Sequence, residues 1–193
     1  CGYDKDVIDL ISEIDAKFIG FLTNKKINDF KSLGTHDQID LSKKLFNKVL
    51  VSTEEISLKK KIEEYFDNYL YSYISKKSNV SKYSKLSKKG VLIQAGVHIG
   101  PYSNIEKLVK INHNSTLCHD VQINSYSTLS CRVFIGGGTR IGSECFIGAN
   151  STIRDHITIG NNSIIGMGSV VTKDVKPNSP VFGNPARLIR KIK

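Results

Sequence analysis

Residues 145–171 read CFIGANSTIRDHITIGNNSIIGMGSVV, and an aliphatic side chain returns at every sixth position: Ile147, Ile153, Ile159, Ile165 and Val171. Followed backwards, the series runs without a gap through Ile141, Ile135, Leu129, Ile123, Leu117, Ile111, Ile105 and Ile99 to Ile93. Two residues before each member stands something small or β-branched, such as Ser115, Val121, Ser127, Val133 or Cys145. Glycine follows directly at Gly100, Gly136, Gly142, Gly148, Gly160 and Gly166. A period of six is neither the helix's nor that of a plain alternating strand. It marks a repeat architecture.

The physical reading is a parallel β-helix in which each hexad forms one flat side. Alternate residues of a strand share a face, so the aliphatic residue and the one two before it point inward together. Glycine after the aliphatic residue is expected to ease the corner. Three hexads make a triangular coil, which stacks Ile93, Ile111, Leu129, Ile147 and Ile165 in one column. With coils about 4.8 Å apart, the prism is on the order of 20 Å tall. Val80 and Leu86 are expected as irregular residues of a first coil.

Hydrophobic content of 39% suits a soluble globular chain, and no apolar run nears the roughly 18 residues of a membrane span. No membrane insertion is expected, and the location reads as cytoplasmic. Because the chain begins at Cys1 without Met, residues are expected before it. Cys1, Cys118, Cys131 and Cys145 show no metal-ligand spacing, so reduced thiols are expected. The net charge of +10 permits a nucleic-acid partner, but the basic residues are dispersed and not interleaved with aromatics. A phosphorylated small molecule accounts for the sign equally well, and no nucleic acid is expected.

Residues 1–75 are charged, mixed and free of the repeat. Residues 5–11 and 56–65 read as helices, residues 17–22 and 48–52 as strands, together a small α/β unit that would cap the lower edge of the coils. The coils are assigned to 76–175, and 176–193 to a loop and cap. Asn184 and Pro185 suit an N-cap and first helical position, predicting a short helix from Ala186 to Lys193.

Among the five histidines, His113 and His119 fall two residues after Ile111 and Leu117, at outward corner positions. Asp120 follows His119, and Asn112, Asn114 and Ser115 lie one hexad upstream. A carboxylate beside an imidazole fixes its tautomer and raises its basicity, as a general base requires.

The run from Ile111 to Asp120, INHNSTLCHD, resembles the active-site coil of sugar acyltransferases of the sialic-acid O-acetyltransferase and bacillosamine N-acetyltransferase type. The runs Phe146–Asn150, Ile165–Val175 and Gly183–Arg187 are similar to that family as well. The resemblance implies a left-handed parallel β-helix of hexapeptide type, with a small N-terminal Rossmann-like domain and a short C-terminal helix. It further implies an acetyl-CoA-dependent acetyltransferase, needing no metal, that acts on a hydroxyl or amino group of a bacterial surface-glycan sugar. His119 would accept the proton and Asp120 would raise its basicity. Acetyl-CoA would lie between two subunits of a homotrimer, near Thr128, Gly137, Ala149 and Met167, with Arg187 toward its phosphates. A sialic acid or nucleotide-linked amino sugar would meet Gly2, Tyr3, Thr23, Asn24, Ser52, His113 and Asn114. Thr128 departs from members that carry a second histidine there. Two other readings stand beside this one: a γ-carbonic-anhydrase-like zinc enzyme and a non-catalytic coil scaffold. His98, His113 and His119 lack the closely spaced pair of the former.

Overall fold

The computed structural model describes residues 46–189 together with Ile11 and Glu13. In it the sixfold period becomes a series of two-residue parallel strands, from β1 (Tyr73–Ile74) to β17 (Val170–Val171). The inward columns stack in register, Ile93 on Ile111, Ile111 on Leu129, Leu129 on Ile147 and Ile147 on Ile165. Three sheets form the sides of a prism of about 6 turns. The first face carries Leu92, Lys110, Thr128, Phe146 and Ile164 outward. The second carries His98, Thr116, Phe134 and Thr152, and the third Asn104, Gln122, Arg140 and Thr158. Val80 and Leu86 join the lowest coil, as expected.

The aliphatic column is closed to solvent, with Ile111, Leu117, Ile123, Leu129 and Ile135 all 0% exposed. The small residues beside it are matched to the backbone. The Ser127 hydroxyl donates to the Gly142 carbonyl at 2.7 Å and accepts the Cys145 N–H at 3.0 Å. Ser115 makes the same pair of bonds to Ser130 and Val133. A serine is therefore satisfied at this inward slot, as buried polar groups must be. Cys145 fills an equivalent slot, where burial pushes its thiol pKa up.

Glycine works differently from the expectation. The left-handed residue of each corner comes three positions after the aliphatic one, at Gly96, Tyr102, Leu108, Asn114, Asp120 and onward. The glycines directly after the aliphatic residue instead permit coils to approach. A Cβ on Gly136 would stand 2.4 Å from the Asp155 nitrogen, and one on Gly148 2.5 Å from that of Met167.

Two further expectations are corrected. Residues 186–189 do not form a helix: β18 (Pro180–Phe182) and β19 (Arg187–Leu188) make an antiparallel hairpin, with Val181 opposite Leu188. The last strand of the first face would otherwise leave an open edge, and β19 covers its hydrogen-bonding groups. The Asn184–Pro185 peptide in the turn is cis. Residues 48–52 supply only a bridge from Val49 to Leu70 instead of a strand. The expected helix is present as α1 (Ile56–Phe66). The proposed elements at 5–11, apart from Ile11, and at 17–22, like most of the 1–75 unit, lie outside the described residues. No described helix is long and apolar enough to cross a membrane.

Helix α1 packs Ile62 and Phe66 with Val49, Val51 and Leu108, against the corner between the third and first faces. Lys59 is buried in this seam at 1% exposure and donates to the Tyr126 carbonyl at 2.9 Å and to Thr128 Oγ1 at 3.0 Å. Burial, then the like charge of Lys110, pushes its pKa down to about 7, against the pull of Glu54. Below pH ~7 the group is charged in both states and the full desolvation cost stands. Above that, the unfolded chain binds a proton that the folded chain has lost, so stability rises with pH. Wild type should therefore gain about 2 kcal/mol relative to Lys59→Met between pH 7 and 9. Urea titrations of the two proteins check this; parallel pH dependence would refute it.

Candidate active site

His119 and Asp120 occupy the corner between the second and third faces, on the coil above Pro101 and Tyr102. The Asp120 N–H donates to the Pro101 carbonyl at 2.9 Å, which seats this corner on the coil below. Asp120 adopts φ 58°, a conformation aspartate tolerates better than most residues. His119 Nδ1 lies 2.8 Å from Asp120 Oδ2, so the adjacency in sequence is a contact in space. A proton on Nδ1 then points at the carboxylate and leaves the Nε2 lone pair free. The two side chains are 62% and 58% exposed, so an incoming molecule can reach them.

Three glycines in a row, Gly136 to Gly138, form the next step of this corner. A Cβ on Gly137 would stand 2.8 Å from His119 Nε2. The imidazole thus lies over bare backbone, and a side chain at 137 would have to displace the ring. From the coil above, the His156 ring leans on the same step, 2.5 Å from where a Gly138 Cβ would be. Sequence reading had not singled out His156; the run of three glycines one coil below it was its available signal.

The other sequence-selected residues are distributed unevenly. His113, Asn114, Ala149 and Met167 line the corner between the first and second faces, six residues from the His119 corner along each coil. The strands of the second face separate the two corners by up to ~20 Å. Between them Phe134 projects, 42% exposed. Met167 is 75% exposed near the top of its corner. Arg187, on the hairpin just beyond, is exposed, and its guanidinium donates to the Ala186 carbonyl at 2.9 Å. Thr128 is not on this surface: it is 2% exposed on the first face, under Lys59. Ser52 is likewise buried, and its carbonyl accepts from Lys110 Nζ at 3.1 Å. Nearby, Asn112 donates to Glu54 at 3.4 Å while its Oδ1 is buried with no partner among the described residues. Gly2, Tyr3, Thr23 and Asn24 lie outside the described residues.

Comparison with known proteins matches this architecture. The family described as bacterial transferase hexapeptide (six repeats) matches residues 138–173. Curated Staphylococcus aureus proteins provisionally named acetyltransferases, one of them from strain COL, are 59% identical over 29 residues. That match spans 15% of this chain and only 15% of the relative's length. A mutant GDP-perosamine N-acetyltransferase from Caulobacter crescentus, solved with CoA and GDP-perosamine, is 26% identical with a TM-score of 0.74. It covers 78% of this chain and 73% of its own. The acetyltransferase domain of PglB from Neisseria gonorrhoeae, solved with acetyl coenzyme A, shares the fold at TM-score 0.80 and 24% identity, over 88% and 85% of the two chains. These likenesses place the solenoid among left-handed β-helices. In repeat and overall fold, the chain resembles the hexapeptide-repeat sugar acyltransferases.

Proposed function

We propose that the chain is an acyltransferase that moves the acetyl group of acetyl-CoA to an amino or hydroxyl group of a bacterial surface-glycan sugar. One observation carries the reading: an imidazole held by Asp120 through Nδ1 presents its free Nε2 over the bare Gly137 backbone. Acetyl-CoA, when bound, supplies the thioester carbonyl. His119 Nε2 takes the proton of the acceptor's amine or hydroxyl as that atom attacks the carbonyl carbon. The Gly137 N–H would donate to the oxygen that gains charge. Collapse of the intermediate breaks the C–S bond, His119 returns its proton to the departing sulfur, and CoA leaves as the thiol with the acetyl group on the sugar. Asp120 holds the imidazole in the productive tautomer throughout.

The two corners support a shared site. His119 and Gly137 lie on one, Ala149 and Met167 on the other, too far apart to enclose one thioester within a single chain. A neighbouring copy that sets its Ala149 corner against the His119 corner would complete the site, and a ring of three such contacts closes. The proposal therefore includes a homotrimer of 21.5 kDa chains, with residues 1–75 holding a nucleotide-linked or acidic sugar in the cytoplasm. Thr128 enters it only as a support of the first face.

The zinc reading would need His98, His113 and His119 to converge, yet they are spread over the second face and both its corners. Dialysis against a chelator should leave turnover unchanged, and a non-transferable acetyl-CoA analogue should compete with acetyl-CoA. Stoichiometric zinc, lost together with activity, would reverse the assignment.

A further inference from the structure

From Ile93 to Ile165, the residue three after each inward aliphatic adopts the left-handed conformation, which disfavours bulky side chains. Asn114, Asp120, Asn150 and Asn162 suit it by type. Leu108 offsets its strain by burial against α1. Tyr126 bonds Glu63 beside Lys107, and Glu144 pairs with Lys60 at 2.6 Å. Tyr102, at φ 61° and 66% exposed, has no such packing. What it does meet is another open ring: Tyr83, 58% exposed, lies on the same corner one coil lower. The ring centroids are 5.8 Å apart and the planes tilted by 33°. Lys82 Nζ stands 5.1 Å from the Tyr83 ring.

The position of this pair gives it meaning. Tyr102 is one coil below His119 and Asp120, about 4.8 Å along the axis, and Tyr83 one coil lower still. Gly137, the floor proposed for the thioester, lies on the opposite side of His119. The donor thus occupies the coils above the imidazole and leaves those below to the acceptor. A pyranose ring, about as wide as one coil spacing, places a reacting substituent at His119 while its C–H face covers Tyr102. An aromatic face carries partial negative charge and favours such positively polarised C–H bonds.

We propose, resting on the acetyl-transfer reading, that Tyr102 and Tyr83 form a stacking platform for the acceptor's sugar ring. Lys82 meets a negative group on the side of that ring away from the reacting atom. The substrate class is an anionic pyranose, its charge coming from a glycosyl phosphate or a sugar carboxylate.

Steady-state kinetics on the full chain test this, with CoA release measured against nucleotide-linked amino sugars and against free sialic acids. The class that turns over identifies the source of the charge. Tyr102→Ala should raise the acceptor KM about three- to tenfold, the scale of one lost ring contact. The acetyl-CoA KM and kcat should stay near wild type, and Tyr102→Phe should keep the wild-type acceptor KM. Lys82→Ala should raise the same KM without touching that for acetyl-CoA. An unchanged acceptor KM in Tyr102→Ala overturns the platform while leaving acetyl transfer intact. So does a Tyr102→Ala protein that sediments as a smaller species, since the ring would then serve an interface. No CoA release by wild type with either acceptor class removes the acetyl-transfer reading and the platform with it.

Discussion

His119→Ala lowers kcat by roughly 10²–10⁴, the contribution of a positioned general base, while acetyl-CoA binding stays near wild type. The separation of the two effects follows from geometry. The imidazole reaches over Gly137 from the coil below and supports no part of the core: its side chain is 62% exposed and its one side-chain partner among the described residues is Asp120. Removing it costs the acceptor a place for its proton without disturbing the inward column. Asp120→Asn should have a smaller effect of the same kind, because an amide still orients the ring but no longer favours the protonated form. Turnover assays paired with calorimetric titration of acetyl-CoA check both variants. Near-wild-type turnover in His119→Ala would end the assignment and make His113 the next residue to replace.

Leu129→Asp should abolish folding of the coil stack. Leu129 is 0% exposed and lies directly between Ile111 and Ile147 in the first-face column. An aspartate there loses the aliphatic packing on both sides and buries a carboxylate with nothing to pair it. Such a change costs several kcal/mol, against a total stability of about 5–15 kcal/mol for an ordinary domain. In a solenoid each coil rests only on its neighbours, so loss of the middle coil separates the stack into parts too short to persist. Circular dichroism should show no cooperative thermal transition, and a native-like melt would contradict the column.

The column was legible because period and burial coincide: each sixth residue and its small companion point inward whatever the outer sequence does. Corner chemistry was less visible. Left-handed residues such as Tyr102, Leu108 and Glu144 carry no common type, whereas the glycines that drew attention serve coil-to-coil clearance. The C-terminal segment was misread because Asn-Pro suits a helix start and a turn alike; only the open strand edge decides between them. Lys59 was invisible for another reason. It meets Thr128 across 69 residues of chain, and nothing in a charged helix such as α1 distinguishes the one lysine that is buried. Of the candidate site, the His119–Asp120 contact could be anticipated from adjacency at a corner. The stacking of His119 below Gly137 and of His156 above Gly138 both follow from the eighteen-residue coil, while the lean of each ring onto its glycine needed the side-chain positions.

The most direct measurement of the central proposal is transfer itself. Purified chain, acetyl-CoA labelled in the acetyl group and a nucleotide-linked amino sugar or sialic acid are mixed, and both products are followed by mass spectrometry. The account predicts labelled acetyl on the sugar in equal amount to CoA released, no label retained on the protein, and loss of both products in His119→Ala. CoA release without a labelled sugar, or equal transfer by His119→Ala, would contradict it.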